Sequence, residues 1–166
     1  MVGLAGLRRR GALALGLATL LAACTSTAKD KDGNEVRTDS EPLERRFAPL
    51  GPLSDAHWLG VALGTTDARV PGPTDLRVVG FAQLRAGAVS SITGTSSQRG
   101  FKAAKPHQLP SELVQFMPEG ARWVRSESFD RQVTGETYAG RFYFDAATDL
   151  VYFDTINPSV ASSSGT

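Results

Sequence analysis

Residues 137–156 read TYAGRFYFD, AATD and LVYFDTI, which are two strand-like runs around a four-residue loop. Alternation of aromatic and other residues is typical of a β-strand with one face on the core. A four-residue loop sets the pairing, so that Phe144 lies opposite Val151 and Phe142 opposite Phe153. One face of the pair is then wholly apolar. We therefore predict a β-hairpin that forms a stable part of an antiparallel sheet.

The opposite face of this hairpin carries polar and aromatic residues. In the same register Arg141 pairs with Asp154 and Tyr143 pairs with Tyr152. Because exposed tyrosines favour recognition, these four residues are the best candidate binding surface in the sequence. The alternative, which we prefer, is that residues 86–117 cover this face of the sheet.

Three further runs predict strands upstream of the hairpin, at residues 57–63, 76–84 and 121–127. Apolar residues of the second run fall on both of its faces, so both faces of the sheet are expected to be partly covered. The fold class predicted is α+β and β-dominant. It is a small single domain with an antiparallel sheet, a C-terminal aromatic β-hairpin and one short helix.

The remaining segments predict that helix and two irregular regions. Residues 110–117 form the helix candidate, because Pro110 suits a first turn and Pro118 ends the helix. Residues 86–108 are rich in Ser and Gly and predict a loop or a poorly ordered insert. Residues 159–166 predict a disordered tail.

The first 23 residues have the order of a secretory signal peptide, with three arginines before an apolar run that starts at Gly11. This run of about 13 residues is shorter than the roughly 20 that a transmembrane helix needs. It closes with Leu21-Ala22-Ala23-Cys24, which resembles the lipobox of bacterial lipoproteins. The resemblance implies cleavage between Ala23 and Cys24 and a diacylglycerol on the Cys24 thiol, with palmitate among its acyl chains.

The resemblance also implies a location on the extracytoplasmic face of the cell membrane, or at the outer membrane if the source has two membranes. The export route stays open, because Arg9-Arg10 also loosely resembles a twin-arginine signal. The domain organisation expected is a signal peptide at 1–23, a lipidated flexible tether at 24–46 and a β-rich globular domain at 47–158.

The globular part has a second resemblance, which rests on structural motifs. A Trp-bearing segment precedes a terminal aromatic hairpin that ends in Asn157-Pro158. This arrangement is similar to small uncharacterised secreted lipoproteins of actinobacteria, and richness in Ala, Gly, Arg and Val fits a GC-rich genome. The resemblance implies no particular activity.

Charge and cysteine content narrow the function classes. The chain of 166 residues has 18 basic and 17 acidic residues, and removal of residues 1–23 takes away three arginines and no acid. The remainder has 15 basic and 17 acidic residues, a net charge of −2, which gives no strong field for nucleic acid. Cys24 is the only cysteine, so neither an internal disulfide nor a paired-cysteine zinc site is expected.

No catalytic, metal-binding or cofactor motif is present, so no catalytic residue, metal or cofactor is predicted. His57 beside Trp58 is a second candidate for a ligand site, with a pair at the edge of the core as the alternative. The function expected is a membrane-anchored binding or interaction module, whose partner is an envelope protein or a cell-wall ligand. The alternative is a small envelope enzyme, which a deep pocket with converging ionisable groups would favour.

Overall fold

A six-stranded antiparallel sheet organises the residues that the computed structural model describes, which are 35–64, 75–94 and 100–160. In chain order its strands are β1 (Leu53–Leu63), β2 (Asp75–Leu84), β3 (Lys102–Ala103), β4 (Val124–Arg125), β5 (Ala139–Asp145) and β6 (Leu150–Ile156). Across the sheet they lie in the order β1-β2-β6-β5-β4-β3. The predicted β-dominant α+β class is confirmed.

The aromatic hairpin of β5 and β6 has the register that its loop predicted. Phe144 faces Val151, Phe142 faces Phe153 and Tyr143 faces Tyr152. The three phenylalanines and Val151 are fully buried on one face of the sheet. The prediction of a β-hairpin that forms part of an antiparallel sheet is therefore confirmed.

Three short helices cover this phenylalanine face. They are α1 (Glu41–Arg46), α2 (Ala88–Thr93) and α3 (Glu127–Thr134). Each places at least one buried apolar side chain against the sheet. These side chains are Leu43 from α1, Val89 from α2, and Phe129 and Val133 from α3.

The opposite face is covered by the segment that runs from β3 to β4. It includes a 3-10 helix at Ser111–Phe116, which places Leu113 in the core, and Trp123 just before β4. A second 3-10 helix, Ala48–Leu50, follows α1. Both faces of the sheet are covered, as the apolar residues on both faces of 76–84 predicted.

The start of the domain differs from the prediction. Leu43 of α1 has no exposed surface, and the main chain of Arg37 pairs with Trp58 through two hydrogen bonds of 2.8 and 2.9 Å. Residues 35–46 are therefore part of the domain, and the predicted tether boundary at residue 46 was too late. A single buried leucine between charged residues gave no periodicity from which to predict this.

Four other predictions need correction. The helix expected at 110–117 is the 3-10 helix Ser111–Phe116, and the strand expected at 121–127 is only Val124–Arg125. The expected insert at 86–108 contains α2 and β3, while residues 95–99 lie outside the described part. The whole of α3 was missed, so the domain has more than one short helix.

The anchor region cannot be compared with the fold. Residues 1–34, which include Ala23 and Cys24, lie outside the described residues, as do 161–166 of the predicted tail. The described residues belong to one unit, residues 31–166. Among them no helix is long and apolar enough to cross a membrane.

Candidate functional site

The two tyrosines of the predicted binding surface are buried. Tyr143 is 3% exposed and Tyr152 has no exposed surface, because Leu113 and Trp123 pack over this face of the sheet. Tyr152 also contacts Phe81 of β2, at 5.1 Å between ring centroids. The interpretation of these tyrosines as an exposed recognition surface is therefore wrong, because this face of the sheet is covered.

The predicted pair of Arg141 and Asp154 also needs correction. The two residues are partners in the β5–β6 register, but the Asp154 carboxylate binds Arg77 of β2. Arg77 donates from Nε and Nη2 to the two carboxylate oxygens, at 2.8 and 3.0 Å. This hydrogen-bonded pair raises the pKa of Arg77. Nη2 of Arg77 also donates to the Gln108 carbonyl at 2.9 Å, which ties the covering segment to the sheet.

Arg141 itself is exposed and has a different neighbour. Its Nη1 lies 2.6 Å from Nε2 of His107, and the contact is a hydrogen bond when that nitrogen is the unprotonated acceptor. Within the described residues no carboxylate forms an ion pair with Arg141. Since a guanidinium has five N–H donors, most of those of Arg141 are available to a ligand.

His57 and Trp58 do not form a site together, because neighbouring residues of β1 point to opposite faces of the sheet. Trp58 is buried on the phenylalanine face, where its Nε1 donates to the Asp39 carbonyl at 2.9 Å. His57 lies on the other face, with its ring stacked on Phe116 at 3.8 Å and its Nε2 3.2 Å from Asp55 Oδ1. Both belong to the edge of the core, which was the alternative interpretation.

Eight charged residues lie together in a cleft of about 730 Å³ at the start of β5. We call it the β5 cleft. It is bordered by β5, by the C-terminal half of α3 and by Arg77 and Asp154 of the sheet. Its charged lining consists of four arginines (Arg77, Arg125, Arg131, Arg141) and four carboxylates (Glu127, Asp130, Glu136, Asp154).

Asp130 forms the inner wall of the β5 cleft. It lies on α3, which begins directly after β4 because the Ser126 hydroxyl accepts the Phe129 N–H at 3.3 Å and caps the helix. The carboxylate accepts the Phe142 N–H at 2.9 Å and the Arg125 Nε–H at 2.7 Å. Burial raises the pKa of Asp130, while the Phe142 N–H and Arg125 act in the opposite direction.

Every carboxylate of the β5 cleft stands beside an arginine. Asp154 binds Arg77 at 2.8 Å, and Asp130 binds Arg125 at 2.7 Å. Glu127 lies 4.0 Å from Arg125, and Glu136 lies 3.9 Å from Arg131. The four arginines and four carboxylates of the lining balance in charge, and among them Arg141 is the arginine that has no carboxylate within ion-pair distance in the described residues.

The edge of β5 is uncovered along this cleft. β4 pairs only with Tyr143 and Phe144. In an antiparallel ladder alternate residues bond to alternate neighbours, and the Phe142 N–H points away from β6 toward Asp130. Gly140, two residues earlier, has the same orientation, so its N–H and C=O point toward the cleft.

A side chain at position 140 would force its neighbours to shift. A Cβ there would lie 2.9 Å from Cγ2 of Thr134 and 3.1 Å from Cγ2 of Thr155. The close approach of α3 to β5 therefore depends on Gly140, and it places Thr134 and Glu136 on the border of the β5 cleft.

Beside the cleft, the hydroxyl of Tyr152 is a buried polar atom that makes no hydrogen bond within the described residues. Burial raises the pKa of Tyr152, and the charge of Asp154 raises it further, while nearby Arg77 lowers it. The Tyr152 ring is part of the packed core on the covered face and not of a ligand-binding surface.

Sequence reasoning missed Arg77, Arg125 and Asp130. The signal for Asp130 was present in Ser126 as an N-cap, the apolar pair Phe129 and Val133 at helical spacing, and Gly135 at the C-cap. Because the interpretation of 121–127 as a strand ended where α3 begins, this signal was not used. Arg77 lies in the predicted strand 76–84, but its partner Asp154 is 77 residues away.

Comparisons with protein families, with curated proteins and with solved structures returned no match to this chain. The described residues also contain no cluster of three or more His, Cys, Asp or Glu side chains able to hold a metal ion.

Proposed function

We propose that this chain is a lipid-anchored extracytoplasmic binding module, with the β5 cleft as its ligand site. Support for the anchor comes from the sequence, in which Leu21-Ala22-Ala23-Cys24 follows a basic and apolar leader. Support for binding comes from one observation about the cleft. Its four carboxylates each lie beside Arg77, Arg125 or Arg131, and the exposed guanidinium of Arg141 forms no ion pair within the described residues. The partner expected is an envelope protein or a cell-wall ligand.

The β5 cleft also bears on the alternative of a small envelope enzyme, because ionisable groups converge there. General acid–base catalysis needs a group that can exchange a proton with the substrate. The two most buried carboxylates, Asp130 and Asp154, are instead held in hydrogen-bonded ion pairs with arginine. Such pairs suit a structural or positioning role, and for this reason we retain the binding function.

The anchor is tested by metabolic labelling of the expressed full chain with radioactive palmitate. The Cys24→Ala variant is expected to lose the label and either to leave the membrane fraction or to keep its leader uncleaved. Thr25→Ala is the matched control, since it changes the next residue and keeps the thiol. A Cys24→Ala protein that is cleaved and still membrane-bound would contradict the anchor.

The ligand site is tested by photo-crosslinking in intact cells. A benzophenone amino acid replaces Ala139, an exposed residue in the lining of the β5 cleft, and in the control it replaces Arg85, an exposed arginine just beyond the far end of β2. Adducts with an envelope component are expected at position 139 and not at position 85. Equal adduct patterns at both positions, or adducts at neither, would reject the cleft as the binding site.

A further inference from the structure

We propose that the β5 cleft binds the C-terminal end of an extended peptide, which adds to the edge of β5 at Gly140 and places its carboxylate on Arg141. This inference rests on the proposed function, since it names the chemical class of ligand for the same site. Three observations carry it: the open strand edge, the guanidinium of Arg141 without an ion pair in the described residues, and the size of the cleft.

The open edge supplies the main-chain hydrogen bonds. β4 covers β5 only at Tyr143 and Phe144, and the Asp130 carboxylate takes the N–H of Phe142. Toward its start β5 therefore presents the N–H and C=O of Gly140 along the cleft. A strand edge of this kind pairs readily with an added extended segment, whose main chain gives affinity without regard to sequence.

The guanidinium of Arg141, which forms no ion pair within the described residues, favours an acid at the end of that segment. Arg77 and Arg125 are occupied by Asp154 and Asp130 in direct hydrogen bonds. Arg141 is exposed, and its neighbour is Nε2 of His107 rather than a carboxylate. Guanidinium–carboxylate pairs are charge-assisted and often bidentate, so a peptide carboxylate satisfies donors that no described residue of this chain satisfies.

The size of the cleft limits the ligand to the end of a chain. Its volume of about 730 Å³ falls within the range of roughly 300–1,000 Å³ that holds small ligands. α3 borders the cleft through Thr134, whose Cγ2 would lie 2.9 Å from a Cβ at position 140. A few residues of extended peptide therefore fit beside Gly140, whereas a folded domain does not enter.

The test uses two peptides that differ at one group. The ¹⁵N-labelled full chain in detergent micelles is titrated with acetyl-Ala-Ala-Ala-Ala carrying either a free C-terminal carboxylate or a C-terminal amide. The free acid is expected to shift the amide resonances of Gly140 and Arg141. Loss of the charge-assisted bonds should weaken the amide peptide about tenfold or more. Arg141→Gln should weaken the acid to the same degree, while Arg85→Gln leaves it unchanged.

N-methylated peptides test the strand pairing separately from the charge. Only alternate amides of an added strand face the edge of β5, so methylation at one parity should weaken binding and at the other should not. Equal effects at both parities would overturn the edge pairing.

The remaining outcomes separate this inference from the proposed function. If the amide binds as well as the acid, the role of Arg141 as a carboxylate site is wrong, although the β5 cleft remains a binding site. If neither peptide shifts Gly140 at about 10 mM, the peptide class is wrong. Adducts at position 139 in cells would then still support a binding module for another ligand.

Discussion

The Asp130 carboxylate accepts the main-chain N–H of Phe142 at 2.9 Å and binds the Arg125 guanidinium at 2.7 Å. β4 ends at Arg125, so the next main-chain donor of β5 has a side-chain oxygen as its partner instead of another strand. The helix α3 is thereby tied to the sheet edge by a carboxylate. Because the carboxylate takes the place of a strand carbonyl, the pairing of β5 ends without leaving the buried Phe142 N–H unsatisfied.

Replacing Asp130 tests this link. Asp130→Ala leaves the buried N–H of Phe142 without an acceptor, and we expect a loss of about 1–3 kcal/mol in the free energy of unfolding by urea. Asp130→Asn keeps an acceptor and should lose less. Glu136→Ala is the control. The exposed Glu136 carboxylate lies 3.9 Å from Arg131, so its loss should change the free energy of unfolding by less than about 0.5 kcal/mol. Wild-type stability of Asp130→Ala would contradict the role of the carboxylate.

Two mid-strand glycines should respond in opposite ways to alanine. A Cβ at Gly80 would lie 2.6 Å from Cα of Trp58 and also collide with the His57 carbonyl, so β1 and β2 must move apart. We expect Gly80→Ala to lower the free energy of unfolding by about 1–3 kcal/mol or more. At Gly60 the nearest atom is 3.7 Å away, so Gly60→Ala should be neutral or stabilising by up to about 1 kcal/mol. Thermal unfolding of both variants measures the contrast, and similar melting temperatures would refute it.

Alkaline pH should destabilise the fold in part through Tyr138. Its hydroxyl donates to the Arg46 carbonyl at 3.3 Å, and burial raises its pKa from 10.0 to about 12. Between these values the unfolded chain has lost the proton while the folded chain retains it. Stability is therefore fully present below pH 10 and falls as pH rises toward 12.

Tyr138→Phe removes this contribution. Urea unfolding at several pH values between about 9 and 12 should show a shallower alkaline decline in the variant than in the wild type. Some decline should remain, because burial also raises the pKa of Tyr152. An unchanged slope would mean that Tyr138 ionises equally easily in the folded and unfolded chains.

Asp149 in the β5–β6 loop should control the order of α2. Its two carboxylate oxygens accept the N–H groups of Gly87 and Val89, at 2.8 and 3.1 Å. Asp149→Ala should cost about 0.5–2 kcal/mol, as loss of a helix cap does, and should speed hydrogen exchange at Val89. Thr148→Ala removes only a hydrogen bond to Asp145 and is the control. Unchanged exchange at Val89 in Asp149→Ala would rule out this cap.

The parts of the fold that could be predicted are those set by local pattern. The register of Phe142 against Phe153 follows from a loop length and a two-residue alternation, both of which are visible in 20 consecutive residues. Burial of Tyr143 and Tyr152 depends instead on a segment that arrives from elsewhere in the chain. The sequence therefore left open whether these two tyrosines are exposed or covered.

The candidate site was less predictable because its contacts are distant in sequence. Arg77 and Asp154 meet only because β2 lies beside β6, and the hairpin pattern pointed to the local partner Arg141 instead. α3 has eight residues, and its apolar core contacts come from Phe129 and Val133. A helix that short has little intrinsic stability in isolation. Its position is fixed by tertiary packing and by Asp130, which local propensity does not report.

The main-chain bridge from Arg37 to Trp58 sets how far the domain can stand from its proposed anchor. Twelve residues, 25–36, separate Arg37 from Cys24. A fully extended chain of that length spans at most about 43 Å. If Cys24 carries the proposed lipid, the domain would be held within that distance of the headgroups. The peptide ends proposed as its ligands would then have to reach the membrane surface.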